Sequence, residues 1–279
     1  MEVNLANKIF PALPLAEWQA TRDTIRGYAV LNGKIRRALT PARKHWWHAS
    51  LRVAASGLTT TPILAGDKTF ELLLDFTHHR LLISTSHGER RDFPLTGQSL
   101  NAFKGQTLAT LAELGINPEI DHDLFSDDSP GTYDETAVFN YWQALSQIDI
   151  ILKEFRNGFR GESSPVQFWP HHFDLGVNWF SGRLVPDQDP DDPEYSDEQM
   201  NFGFSTGDGS TPNPYFYVTA YPSPAGWPDT PLPEDAYWQS EGWNGAVLPY
   251  EVMAKAAEGR GLLLSFLKTL QSAGADLMK

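Results

Sequence analysis

Two short stretches hold the side chains of this 279-residue chain best suited to chemistry. His45-Trp46-Trp47-His48 sets two imidazoles three positions apart, and His171-His172-Phe173-Asp174 sets two imidazoles and a carboxylate within four. The sequence has no cysteine, so imidazole and carboxylate are the donor set it offers a divalent metal. On an extended strand His172 and Asp174 share a face at a separation of about 7 Å, near the reach of a bridging metal or water. That placement would make His172 a general base or ligand and Asp174 its orienting partner. The metal-ligand candidates are therefore His171, His172 and Asp174, and the candidate catalytic pair is His172 with Asp174. Against a metal centre, the H-E-x-x-H pattern of zinc hydrolases is absent, and adjacent histidines on a strand point to opposite sides. Hydrogen-bonded structural histidines are the favoured reading.

Other chemistries find less support. There is no G-x-S-x-G elbow for a nucleophilic serine. The glycines of Phe202-Gly203-Phe204-Ser205-Thr206-Gly207-Asp208-Gly209 lack both the P-loop lysine and the strand, loop, helix order of a nucleotide site. A formal net charge of −13 opposes binding to phosphate backbones, so no nucleic-acid partner is expected. Much of that charge is local: Asp187–Glu198 carries seven acids and no base and reads as a solvated loop. Arg36, Arg37, Arg43 and Lys44 bracket the end of a predicted helix, where cations complement the carboxyl-terminal dipole; that reading is favoured over an anion site. No apolar run approaches the roughly 18 residues of a membrane span, and no leader pattern opens the chain. A cytoplasmic protein without a membrane partner is the expectation.

Aromatic content is the stronger signal. Nine Trp and nine Tyr include several in polar-alternating segments, where a flat or sugar-like ligand could stack. Core filling is the competing explanation and prevails for Trp18, Trp142 and Trp179, which fall on apolar stripes. Trp46, Tyr217 and Tyr221 have polar neighbours. With His48, Arg52, His172, Asp174 and Asn178 they make up the candidate ligand-binding set, since a few convergent polar groups among aromatics describe a small-molecule pocket.

These residues must be positioned by the elements around them. After a short amino-terminal arm held extended by Pro11 and Pro14, Trp18, Ile25, Tyr28, Ile35 and Leu39 predict a helix over 15–39, ended by Thr40-Pro41. Trp47–Val53 alternates as a strand, with Trp46, His48, Ser50 and Arg52 on its amphipathic face. Strands at 70–76, 80–85 and 90–95 form a meander, and Ser99 caps a helix ending at Gly115. A polar connector over 117–133 leads to a helix that starts at Asp134 and runs through Phe155 and Phe159. Strands at 173–179, 200–204, 215–221 and 246–250 follow, then a helix over 254–277 broken near Gly259 and Gly261. Sliding the chain by 124 residues aligns Trp18-Gln19-Ala20 with Trp142-Gln143-Ala144, Arg36 with Arg160, Pro41 with Pro165 and His48 with His172. Such self-similarity predicts an internal duplication. The expected fold is α+β: two tandem pseudo-symmetric repeats (about 14–118 and 134–278) of helix, four antiparallel strands and helix, packed as one domain over 1–279.

Leu13-Pro14-Leu15 with Trp18, His45-Trp46-Trp47, Ser56-Gly57-Leu58-Thr59-Thr60, Lys153-Glu154-Phe155, Ser164-Pro165-Val166, Phe173-Asp174-Leu175, Phe180-Ser181-Gly182-Arg183 and Tyr221-Pro222 together resemble a bacterial family catalogued as domain of unknown function 5996. The resemblance spans nearly the whole chain and implies a single domain, with no established activity, cofactor or catalytic residue. The leading expectation is thus a small-molecule-binding protein with an aromatic and histidine-containing pocket between the repeats. Alternatives are a hydrolase assisted by a metal or by His172 and Asp174, and a protein-interaction or scaffold module whose exposed aromatics and acidic loop meet a partner.

Overall fold

Helix α1 (Leu15–Leu39) forms where Trp18, Ile25, Tyr28 and Ile35 make one stripe, and all four are buried. It stops before Pro41, which lacks the next helical donor and disfavours a helical predecessor. The computed structural model describes residues 9–121, 123–209, 211–233 and 235–278, and the expected amino-terminal arm falls largely outside them. Two compact units emerge: Glu17–Trp142 with Phe168–Phe173, and Gln143–Gln167 with Asp174–Lys279 and the segment up to Ala16.

In the first unit, an antiparallel sheet is built from β1 (Arg52–Val53), β2 (Gly57–Thr59), β3 (Ile63–Ala65), β4 (Lys68–Asp75), β5 (Arg80–Thr85) and β6 (Arg90–Pro94). Its order is β1-β2-β4-β5-β6, with β3 pairing on β4. The register sets Leu58 and Leu81 opposite Leu74, and Ile83 opposite Leu72, so the period-two pattern gathers one apolar face. Helix α2 (Leu100–Glu113) begins where Ser99 Oγ accepts from Ala102 N–H at 3.1 Å. Phe103 of α2 stacks on Tyr28 of α1 at 3.9 Å and meets Phe93 of β6 edge-on. The first turns of helix α3 (Glu135–Asn157) close this core, with Tyr141 against Trp18 at 5.2 Å.

In the second unit, the later turns of α3 bury Leu145, Ile148, Leu152 and Phe155. The second antiparallel sheet comprises β7 (Gln167–Trp169), β8 (Asp174–Leu184), β9 (Asp197–Ser205), β10 (Tyr215–Tyr221), β11 (Tyr237–Gln239) and β12 (Gly245–Pro249), in the order β11-β12-β10-β9-β8-β7; of these, Phe168 and Trp169 of β7 are assigned to the first unit. Leu175, Val177, Met200, Phe202, Phe204, Phe216 and Val218 form its apolar face, with Phe202 packed on Phe155 at 4.8 Å. Helices α4 (Tyr250–Lys255) and α5 (Gly259–Leu277) follow, and Trp227 Nε1 donates to the Leu270 carbonyl of α5 at 3.3 Å. Among the described residues no helix is long and apolar enough to cross a membrane.

The architecture is therefore α+β with two antiparallel sheets. Each sheet has six strands rather than the expected four, because strands of two or three residues are too short to show periodicity. The strand expected over Trp47–Val53 is a further correction: Lys44–Trp46 is a 3-10 turn and only Arg52–Val53 is strand. His172 likewise lies in a turn, and β8 begins at Asp174, so the shared strand face predicted for the two residues does not form. We expect Phe155→Ala to cost about 3–5 kcal/mol in a urea titration, against about 1 kcal/mol for Ser99→Ala; equal costs would show that the aromatic core does not dominate.

Candidate functional site

Arg36 organises the first cluster. It sits in the last turn of α1, and its Nη1 donates to the carbonyl oxygens of Trp47, at 3.2 Å, and Ser50. Arg52 Nη1 donates to Ser50 Oγ at 2.8 Å. Carbonyl groups that a strand would have given to a neighbouring strand are taken by guanidinium instead, which is why the alternating sequence does not form one. The turn places two consecutive non-glycine residues in the left-handed region, His45 at φ 52° and Trp46 at φ 55°, at about 1–3 kcal/mol each. The surrounding contacts must hold them there.

From this turn Trp46 lies under the Arg37 guanidinium, whose Cζ is 4.8 Å from the ring centroid, and its ring stacks with that of His48 at 5.7 Å. His48 is buried, and its Nδ1 accepts the Arg43 backbone N–H at 3.1 Å. That nitrogen must therefore be unprotonated. A second turn from the same unit joins the first. Phe168 exchanges backbone hydrogen bonds with Leu51, and the His171 carbonyl accepts from Arg26 Nε and Nη2 at 2.9 and 2.5 Å. Phe173 holds this turn from within, at φ 56°, with its ring against Tyr141 and Phe168.

Both turns meet α1 at one residue. A Cβ on Gly33 would lie 3.1 Å from the Ala49 carbonyl oxygen and 3.1 Å from Pro170 Cγ. The missing side chain is what lets the turns lie close to the helix. Arg26, Gly33, Lys34 and Arg37 recur at helical spacing, so the stripe of α1 beside these turns is basic. Partial burial, then Lys34, Arg26, His172 and Arg37, hold the His171 imidazole below its usual pKa. Burial followed by Arg37 lowers that of His48, with Arg36 and Arg43 adding to the effect.

The remaining candidates belong to the second unit and share one face of its sheet. The register aligns Asp174 with Ser205 and Tyr215, Gly176 with Gly203 and Tyr217, and Asn178 with Asn201 and Thr219. The Tyr217 hydroxyl crosses over Gly203 to donate to Asp174 Oδ2; a Cβ on Gly203 would stand 2.4 Å from the phenol. Burial, then the Asp174 charge, raise this phenol well above its usual range. Asn178 Nδ2 donates to Gln199 Oε1 at 2.8 Å and Asn201 Oδ1 at 2.5 Å, and Tyr221 OH accepts from Gln188 at 3.1 Å. Asp174, Asn178 and Tyr221 are thus engaged in knitting strands and loop together.

Trp46, His48, Arg52, His171 and His172 accordingly belong to one unit, while Asp174, Asn178, Tyr217 and Tyr221 belong to the other. Among the described residues no group of three or more His, Asp or Glu could hold a metal ion, so the donor set of His171, His172 and Asp174 does not assemble as one. Sequence reasoning missed Arg26, Gly33 and Lys34. The signal was present in the polar side of α1, which repeats at three and four residues just as the apolar stripe does.

The fold and the two clusters define an α+β protein built on two six-stranded antiparallel sheets, without the ligand geometry of a metallohydrolase among its described residues. Residues 10–279 match the model of a family of unknown function, DUF5996, and the chain belongs to that family. No curated protein and no solved structure matches it.

Depressed histidine pKa values have a consequence for stability. The folded chain binds fewer protons at His48 and His171 than the unfolded chain does, so stability falls as pH drops below about 6.5. Ring-resolved NMR titration should show both imidazoles titrating below that value, and Arg37→Gln should move both upward; an unshifted His48 would contradict its burial beneath Trp46.

Proposed function

We propose that this chain binds a small molecule at the corner of its first unit where Trp46, His48, His171 and His172 come together beside α1. One observation carries this reading: two turns bearing aromatic and imidazole side chains are fastened to a single helix, by Arg36 and Arg26 respectively, with Gly33 as their common point of approach. Side chains held in place before a ligand arrives lose little freedom on binding. The left-handed backbone at His45 and Trp46 supports the same reading, because strain of this kind persists where the surroundings over-determine the geometry, often at ligand sites.

In this reading His172, exposed in its turn, and the edge of the Arg37–Trp46–His48 stack face the ligand. Arg52 acts from behind through Ser50. The site binds and orients, and no catalytic step is assigned to it. A thermal-shift screen of small molecules should find compounds that stabilise the native chain and lose that effect in Trp46→Ala or His172→Ala, with the fold verified by circular dichroism. Stabilising compounds indifferent to both substitutions would place binding elsewhere and sink the proposal.

A further inference from the structure

The same corner carries an unbalanced charge. The chain has 35 acids and 22 Lys and Arg, so carboxylates to pair with cations are plentiful. Ion pairs form at Lys68–Glu89, Arg80–Asp92, Arg183–Glu198 and Arg260–Glu154. Among the described residues, however, Arg26, Lys34, Arg37 and Arg43 form no ion pair. After burial, which comes first for both, Lys34, Arg26 and Arg37 favour the neutral form of His171, and Arg37 and Arg43 that of His48. Lys34 and Arg37 stand one helical turn apart in the last turns of α1, with Arg43 just beyond its end, and like charges so placed without a carboxylate partner favour the arrival of an anion. Arg26 is partly spent on the His171 carbonyl. Arg37 is not: its guanidinium lies over Trp46, with Cζ 4.8 Å from the ring centroid, and a guanidinium held on an aromatic ring retains N–H donors suited to an oxyanion.

Resting on the binding reading above, we infer that the ligand is a small molecule with an oxyanion group, a carboxylate or a phosphate ester, received by Lys34, Arg37 and Arg43 at the carboxyl-terminal end of α1. The negative end of the helix dipole makes that end a poor anion site by itself, so the side-chain cations supply the attraction. His171 and His172 flank the anion, and Trp46 acts as a positioning residue by orienting Arg37.

The test uses the full chain with histidine ring resonances as the readout, and inorganic phosphate, acetate and neutral glycerol as probes. Phosphate or acetate should produce a saturable shift of the His171 and His48 signals that glycerol does not. Raising NaCl from about 0.05 M to about 0.5 M should weaken it, because exposed charges are screened. Lys34→Gln and Arg37→Gln should each weaken binding about tenfold, the worth of one charge-assisted hydrogen bond, with the fold retained by circular dichroism. Arg37→Lys, which keeps the charge but loses the planar fork, should recover only part of the loss. Stronger phosphate than acetate binding would identify the phosphate ester; the reverse would identify the carboxylate. No saturable shift with either anion, or equal shifts in Lys34→Gln/Arg37→Gln, overturns the inference. If compounds from the thermal screen still bind that double variant unchanged and still require Trp46, the binding site stands and only its anionic character falls. Failure of both experiments removes the two together.

Discussion

The arrangement of the first unit's candidate site depends on the Arg36 guanidinium accepting the role of a missing strand partner. Trp47 and Ser50 present carbonyl oxygens that need donors, and Arg36 meets both from the last turn of α1. Arg36 is itself affected by burial, which lowers its proton affinity, with Arg43 adding to that effect. Its charge remains secure, since guanidinium does not deprotonate in proteins. With the carbonyls so engaged, the turn stays wound, Trp46 and His45 stay left-handed, and the imidazole of His48 stays stacked and buried. Remove that interaction and the segment has an alternating pattern that would suit an ordinary strand.

The second unit solves a different problem with the same economy of contacts. Its sheet has one apolar face packed by helices and one face of Asp174, Ser205, Tyr215, Tyr217, Asn178 and Asn201. Polar groups in such a place require partners, and they find them across strands: Tyr217 with Asp174 over Gly203, and Asn178 with Gln199 and Asn201. These bonds account for side chains that, read singly, look like components of a binding pocket. A sheet centre must satisfy its polar residues whether or not a ligand is present.

Legibility in the sequence followed the strength of local patterning. Helices α1 to α3 and the meander β4 to β6 appear where periodicity and capping residues placed them, since the burial of one stripe or face dictates both the element and its register. Short strands such as β1, β3, β7 and β11 escaped, because two or three residues hold no period. The segment around Trp46 and His48 was misread for a specific reason. Alternation was real, but side-chain donors from α1, 11 and 14 residues earlier, satisfied its backbone in place of a neighbouring strand. His172 and Asp174 were misjoined in the same way: the left-handed Phe173 between them ends the turn just as the strand begins.

By itself the sequence determined the α+β composition, the positions of the long elements, the absence of thiol chemistry and the family to which the chain belongs. Those properties are local or additive, set by hydrophobic period, capping residues and residue counts. Only the tertiary structure decided that Arg26 bonds the His171 carbonyl and Arg37 lies over Trp46, that Gly33 marks where two turns meet the helix, and that Asp174 is bonded to Tyr217 rather than paired with His172. Each of these is a long-range coincidence of side chains. No period or spacing along the chain encodes it, because it arises only when packing brings distant turns onto one helix.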